Sequence, residues 1–389
     1  MKHRYYLSFF LVAVMSVAGA RPRRVPVFVS GTEGYAVFRI PAIVRAPNND
    51  LLAFCEGRVH GASDFGNIKI VMKRSADGGE TWAALEVVAS YDTLQAGNPA
   101  PVPDMLDPRY PGGRLFLFYC TGTSQESDIR KGHGIREVWY KTSVDNGRTW
   151  SDPVNITLQV HRPRQPSVNS SYVFPEDWRS YATTPGHAVQ LVTGRYAGRI
   201  LVPINHSSGE PGPQFAEYAA GDFYTDDHGR SFHLGQDVGV PGGNEATAAE
   251  TGPGRVMLNA RNQRGDIRQR IVAISSDGGA AWDTAYFDRN LPDPVCQGSI
   301  LTIGSGTDHA IVAFCNNDDT RRRNNLTLRI SLDEGRSWAR KVVVDRTTDT
   351  SRSADYTAYS DIIQLGDRVI GVLYERDSYR QIAFAPVRW

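Results

Sequence analysis

Short apolar runs rich in β-branched and aromatic residues recur along the chain, and each breaks off at a polar turn instead of continuing with helical spacing. Ile68 to Met72, Val138 to Tyr140 and Leu326 to Ile330 are such runs. The turn that follows has a fixed grammar: Ser or Thr, Asp two residues on, Gly two further and an aromatic three beyond the Gly. It occurs five times, at Ser75-x-Asp77-x-Gly79-x-Thr81-Trp82, Ser143-x-Asp145-x-Gly147-x-Thr149-Trp150, Thr225-x-Asp227-x-Gly229-x-Ser231-Phe232, Ser275-x-Asp277-x-Gly279-x-Ala281-Trp282 and Ser331-x-Asp333-x-Gly335-x-Ser337-Trp338, the third and fourth being degenerate. Asp and Ser side chains bond nearby backbone amides and close a turn, Gly takes positive φ, and the aromatic is expected to bury against its own unit's sheet. These are hairpin turns between short strands, and they specify fold, not chemistry.

The turns are spaced 68, 82, 50 and 56 residues apart, a mean of 64, which suits four strands plus loops per unit. Six units use up the chain. The expected architecture is therefore all-β, a six-bladed β-propeller whose radial closure leaves only short protected strand edges. No low-complexity linker interrupts it. Residues 160 to 185, rich in Pro, Ser and Asn, are expected to form a long loop overhanging a site.

Composition narrows the function. With 41% hydrophobic and 22% charged residues the chain is neither disordered nor collagen-like, and a formal charge of +1 supplies no electrostatic footprint for nucleic acid or an anionic membrane. At the N-terminus Lys2, His3 and Arg4 precede an apolar stretch from Leu7 to Val17 and the small-residue sequence Ala18-Gly19-Ala20. This pattern is expected to be a secretory signal peptide over residues 1–20, leaving a mature single domain over 21–389 that is exported to the medium, periplasm or cell surface. The apolar run is too short to span a bilayer, and no later segment qualifies. Only four cysteines are present, too few for a disulfide scaffold. Cys55, Cys120 and Cys315 each end an apolar strand-like run and are expected to be buried and free. No CxxC or HExxH pattern occurs, so no metal among the site residues, zinc above all, and no cofactor is expected, a calcium ion held by a loop being the alternative left open.

Further motifs lie between the turns: Phe38-Arg39-Ile40-Pro41, Glu56-Gly57-Arg58, Ser63-Asp64-Phe65-Gly66, Asn244-Glu245-Ala246-Thr247, Leu258-Asn259-Ala260-Arg261-Asn262, Asn325-Leu326-Thr327-Leu328-Arg329, Ala358-Tyr359-Ser360-Asp361 and Leu373-Tyr374-Glu375-Arg376. Taken with the Asp-box turns, this series resembles the six-bladed exo-α-sialidases (neuraminidases), nearest to their lysosomal-type and bacterial single-domain members. The resemblance runs from Phe38 to Glu375.

It implies a retaining hydrolase of terminal α-linked sialic acids, acting on sialylated glycans, glycoproteins or glycolipids. Arg39, Arg261 and Arg323 would form an arginine triad gripping the substrate carboxylate, a task for which a planar, permanently charged fork is suited. Arg323 is chosen over the adjacent Arg321 and Arg322 by its spacing from Asn325. Asp64 would be the acid/base, and Arg58 would contact the sugar's hydroxyl edge, although an ordinary ion pair with Glu56 is its alternative. Tyr359 would be the nucleophile and Glu245 the carboxylate that activates it, with Glu250 as the competing carboxylate. Glu375 would orient Arg39. The gap of sixteen residues from Glu245 to Arg261 is repeated from Tyr359 to Glu375.

A tyrosine nucleophile has a physical reason, since the anomeric carbon of a sialoside itself bears a carboxylate. A carboxylate approaching to 4 Å at an effective dielectric of 20 would meet a repulsion of about 4 kcal/mol, roughly three decades in rate. A neutral phenol avoids it. An acid such as Asp64 works best when its loop shields it from water, because desolvation raises a carboxyl pKa towards the operating pH. The alternatives carried by the same residues are a sialoside-binding propeller without hydrolysis, a trans- or anhydro-sialidase, and a hydrolase of a related nonulosonic acid.

Overall fold

The apolar runs become strands covered on both faces. Leu51–Arg58 has all eight residues buried, and a strand so enclosed is apolar almost throughout instead of alternating. Glu56 and Arg58 interrupt it at one end. In the computed structural model, which describes residues 23–305, 309–349 and 355–389, this strand belongs to an almost entirely antiparallel β-structure with only two four-residue α-helices, Glu126–Ile129 and Thr157–Val160. The expected signal peptide, residues 1–20, lies outside the described residues. No helix among them is long and apolar enough to cross a membrane.

The strands form five sheets, not the six separate ones expected. Three have four strands, built on Thr357–Gly366, Gly243–Gly252 and Ser299–Ser305, and one has five, built on Trp178–Thr183. The remaining sheet has eight strands because two antiparallel meanders, starting at Val37–Arg45 and Gln95–Asp104, are joined by a single parallel pair, Ile68 with Gln95. The sheets pack in chain order and close on themselves, since Val37–Arg45 touches both Gln95–Asp104 and Thr357–Gly366. That closure is a β-propeller. The N-terminal strand Val25–Val29 pairs with Gln381–Arg388, so the two ends of the chain share one sheet.

The core lies between neighbouring sheets. Phe116 and Phe118 of one meander pack against Phe223 and Phe232 of the next, and Leu328 and Ile330 against Ile362 and Val372. The Asp-box turns serve this packing. Ser75 Oγ donates to Asp77 Oδ1 and accepts from Gly79 N, both at 2.8 Å, while Asp77 Oδ1 also takes the amides of Glu80 and Thr81. The same bonds recur at Asp145 and Asp227, and at Asp277 and Asp333 without the amide three residues on. The aromatics, however, do not serve only their own sheets. Trp82 meets Phe384 edge-on at 5.6 Å, and Trp150 meets Phe54 at 6.1 Å, in each case on the adjoining meander. Gly79 shows why: at φ +96° it faces Phe384 so closely that a Cβ would lie 2.1 Å from the ring. Each box thus docks on its neighbour, which is where the uncovered apolar surface lies.

All four cysteines, including Cys296, are buried and free. The segment over 160–185 does not overhang the site. Its backbone folds into a local bridge at Arg164 and Val173, and only Ser180, Tyr181 and Ala182, on the strand Trp178–Thr183, reach the cavity described next.

Candidate active site

A cavity of about 310 Å³ opens at one mouth of the propeller. Its geometry begins with irregularities in the strands that line it. Pairing registers slip between Arg39 and Ala42, between Gly97 and Ala100, between Gly243 and Ala246, and between Thr357 and Ser360. Each slip is a bulge that re-aims a side chain, and the residues so placed include Arg39, Asn98, Glu245 and Tyr359. Ile40 has φ +61°, a strained conformation for a β-branched residue that costs on the order of 1–3 kcal/mol. Strain of this kind persists where the surroundings enforce it.

Glu375 supplies the enforcement. Fully buried on Val369–Arg376, it accepts Arg39 Nε at 2.6 Å and the amide of Ile40 at 2.9 Å through Oε1, and Arg39 Nη2 at 3.3 Å and the amide of Tyr359 at 3.1 Å through Oε2. One carboxylate therefore pins two bulges. Burial works against the charge on Arg39, but its charge interactions, that with Glu375 foremost, outweigh it and raise the pKa. The Tyr379 ring centre also lies 4.1 Å from the guanidinium carbon.

At the cavity floor the Tyr359 hydroxyl donates a short hydrogen bond to Glu245 Oε1 and accepts one from Arg261 Nη1 at 3.0 Å. Arg261 Nη1 also reaches Glu245 Oε2 at 2.8 Å. Burial and the Glu245 charge push the phenol well above its ordinary pKa, against the opposing pull of Arg261 and Arg323, so the resting tyrosine is neutral. Arg323 completes the cationic wall. Its Nη1 donates to Tyr379 Oη at 3.2 Å, its Nη2 to the Val295 carbonyl at 3.2 Å, and its guanidinium lies 5.7 Å from the Tyr359 ring centre. Of the three adjacent arginines, Arg323 is the one that lines the cavity. Glu250, the competing carboxylate, sits towards the far end of the Glu245 strand, taken up by the amides of Val192 and Thr193.

Asp64 departs from expectation. Its side chain is 76% exposed, not shielded by its loop. Burial of the carboxyl alone would raise its pKa, but the charges of Arg58 and Arg39 and a 2.7 Å bond from Arg58 Nη1 prevail and hold it below the usual carboxylate value. The reason is that Arg58 does two jobs. Its Nε and Nη2 grip the buried Glu56 at 3.0 and 2.7 Å, while Nη1 collects Asp64 and the carbonyls of Ala62 and Ser63. The ion pair with Glu56 is present, and Arg58 lines the cavity as well.

All eight residues singled out in the sequence thus meet at one place, seven on the cavity wall and Glu375 behind Arg39. Sequence reasoning missed Gln95, Asn98, Glu126, Arg136 and Tyr181, which also line it. Asn98 had a signal in Gly97-Asn98-Pro99, since Asn is among the few residues that adopt its φ of +55° readily. Tyr379, which faces Arg39 and binds Arg323, follows two other positive-φ residues, Asp377 and Ser378, in a turn that resembles no Asp-box. A separate cluster, Asp104, Asp107 and His228, brings three ligand-type atoms within 4.8 Å. Arg114 pairs with both carboxylates there and Arg109 with Asp107, so two guanidiniums already offset the two negative charges.

A profile of the BNR repeat-like domain matches residues 49–373. The sialidase of Micromonospora viridifaciens is 31% identical over 96% of this chain, which spans 58% of that relative's length. The exo-alpha-sialidase of Arthroderma benhamiae is 28% identical over 89% of this chain and 79% of its own. Among solved structures, the Hadza microbial sialidase Hz136 superposes with a TM-score of 0.77 over 94% of this chain and 68% of its own, at 24% identity, a likeness of fold.

Proposed function

Because the chain belongs to the exo-α-sialidase family of BNR-repeat proteins, we propose that it hydrolyses terminal α-linked sialic acids of glycoproteins, glycolipids or free glycans, with retention, through a covalent sialyl-tyrosine. One observation carries the mechanism: a neutral Tyr359 hydroxyl bonded at once to Glu245 and Arg261, on the floor of a cavity walled by Arg39, Arg261 and Arg323. The three guanidiniums offer paired, charge-assisted donors to the C1 carboxylate, each such bond contributing roughly 1.5–3 kcal/mol. They also set the anomeric carbon above the phenol.

Asp64 protonates the leaving oxygen as Tyr359 Oη attacks the anomeric carbon and Glu245 takes the phenolic proton. The bond to the aglycone breaks and the Tyr–C2 bond forms. Asp64, now a carboxylate, removes a proton from water, which attacks C2, and Glu245 returns its proton to the departing phenolate. Two displacements restore the starting configuration, by the route that sets tyrosine-dependent sialidases apart from two-carboxylate glycosidases. In the resting state Asp64 is ionised and open to water. Substrate must therefore draw Arg58 onto its ring hydroxyls, freeing Asp64 and covering it, before Asp64 acts as an acid.

We also infer six blades within one catalytic domain over 21–389, counting the eight-stranded sheet as two because a single residue pair joins its halves. The charged, apolar and small-residue segments of residues 1–20 support export. Release of fluorophore from a 4-methylumbelliferyl α-sialoside tests the activity, and proton NMR of the first-formed sialic acid anomer tests retention. Tyr359→Phe and Asp64→Ala are expected to lose on the order of 10²–10⁴-fold in kcat. Wild-type protein that binds the dehydrated analogue of sialic acid without turning over substrate would instead identify a sialoside-binding propeller.

A further inference from the structure

Each arginine proposed to act in catalysis has a carboxylate within 4.0 Å: Arg39 has Glu375, Arg58 has Glu56 and Asp64, Arg261 has Glu245 and Arg323 has Asp355. Arg136, on the same cavity wall, has none among the described residues. It is only 6% exposed, its Nε is buried without a hydrogen-bond partner, and its Nη1 donates to a neutral acceptor, Gln95 Oε1. Asp64, on the same wall, feels the charge of Arg136 without touching it, so this buried cation is only partly compensated in the resting protein and an anionic ligand in direct contact would complete the compensation.

The backbone makes room for it. Arg136 begins the strand Arg136–Ser143 and reaches the cavity across its neighbours Gly122 and Gln95, paired in that order. A Cβ at Gly122 would lie 2.8 Å from Arg136 Nη1 and 2.9 Å from Gln95 Oε1. Gly122 does not have positive φ, so conformation does not require glycine here. Space for the guanidinium does. Gly97 repeats the device one strand inward, where a Cβ would lie 2.3 Å from Glu56 Oε1 and 3.2 Å from Gln95 Nε2. The Arg136–Gln95 pair therefore adjoins Glu56 and Arg58, at the sugar edge assigned to Arg58, and belongs to a different sheet from Arg261.

We propose that Arg136, presented by Gly122 and steadied by Gln95, is a specificity-determining residue that recognises a second negative charge on the sugar ring, so that sialosides carrying an anionic ring substituent besides the C1 carboxylate are the favoured substrates. The proposal rests on the sialidase reading and deepens it. Three 4-methylumbelliferyl α-sialosides of matched size test it, differing only in the N-acyl group: N-oxalyl (anionic), N-glycolyl (neutral) and N-glycyl (cationic). Wild-type protein should rank them in that order by kcat/KM. Arg136→Gln should collapse the anion-to-cation ratio by at least about tenfold, and Arg136→Lys should keep it, because charge more than fork geometry is at issue. Gly122→Val leaves the arginine in place but closes its path, and should mimic Arg136→Gln.

A wild-type preference for the neutral or cationic sugar, or an unchanged ranking in Arg136→Gln, would overturn the proposal. Calorimetric binding of the matching 2,3-dehydro analogues to the same variants separates this failure from that of the hydrolase reading. Charge-ranked binding that depends on Arg136, with no turnover of the ordinary N-acetyl substrate, would uphold the subsite and overturn the hydrolase. Binding indifferent to charge would overturn the subsite whatever the turnover.

Discussion

Arg58 Nη1 lies 2.7 Å from Asp64 Oδ1, so the residue proposed to hold the sugar edge is, at rest, holding the acid. Arg58→Met removes the largest of the charges that keep Asp64 below the ordinary carboxylate range, together with its hydrogen bond, while the charges of Arg39 and Arg136 and the upward push of burial remain. The Asp64 pKa must then rise. With Asp64 as the proposed acid, kcat/KM requires its protonated form in the free enzyme, so the fall with increasing pH should move to higher pH in Arg58→Met even as the plateau drops. A pH–rate profile decides, and an unmoved limb would separate Asp64 from the acid role.

Glu375 holds Arg39, Ile40 and Tyr359 through four hydrogen bonds. Glu375→Gln preserves shape but turns one oxygen into an NH2 group, which then faces donors from either Arg39 and Ile40 or Arg39 and Tyr359. It also leaves Arg39 as an unpaired buried charge, a change that costs about 3–5 kcal/mol when a buried pair is broken. Calorimetry should show a clear drop in Tm, and kcat/KM should fall by more than tenfold because both the carboxylate grip and the Tyr359 bulge loosen. A variant as stable as wild type would show that the bulges hold themselves.

How much of this could be read beforehand follows from what kind of physics sets each feature. Turn chemistry is local, so Asp77, Gly79 and Trp82 spelled out a repeated hairpin and a propeller, and the spacing of Glu245, Arg261, Tyr359 and Glu375 survived into the cavity. What escaped is set by contacts distant in sequence. The aromatic of each box looks local yet docks on a neighbour, as Trp82 does on Phe384. The Ile68–Gln95 pair merges two meanders for reasons no periodicity carries. Asp64 sits in a sequence that suggests a shielded acid, but its state is fixed by Arg58 six residues away, and Arg136 enters the cavity only because Gly122 and Gln95 lie beside it.

Asp222 is buried, and neither of its carboxylate oxygens has a hydrogen-bond partner. Burial raises its pKa well above the ordinary value, and Asp277 and Asp237 add to the effect against the opposing charge of Arg199. Between the unfolded and folded pKa values the folded state holds a proton that the unfolded state has released, so stability falls as pH rises, by at most about 1.4 kcal/mol per unit. Asp222→Asn is neutral at every pH. Its Tm advantage over wild type should be small in acid and should widen towards alkaline pH, and parallel curves of Tm against pH would refute the raised pKa.

The fourth Asp-box lacks one bond that the others have. Thr81, Thr149, Ser231 and Ser337 each donate a hydroxyl to the second oxygen of their box Asp, at 2.5–2.6 Å, whereas Ala281 has no hydroxyl to offer Asp277. The backbone is already in place, since the Ala281 amide reaches Asp277 Oδ1 at 3.0 Å like its counterparts. Ala281→Thr should therefore add a hydrogen bond to a charged acceptor with little new ordering, stabilising the fold by about 0.5–1.5 kcal/mol. A shift of roughly 1–3 °C in Tm is expected for a chain of this size. Strand pairing aligns Val256 with Ser275, which places the turn at the end of its sheet opposite Arg261. Turnover should accordingly stay at the wild-type level. An unchanged or lower Tm would mean that the hydroxyl bonds seen in the other four boxes accompany the turn without strengthening it.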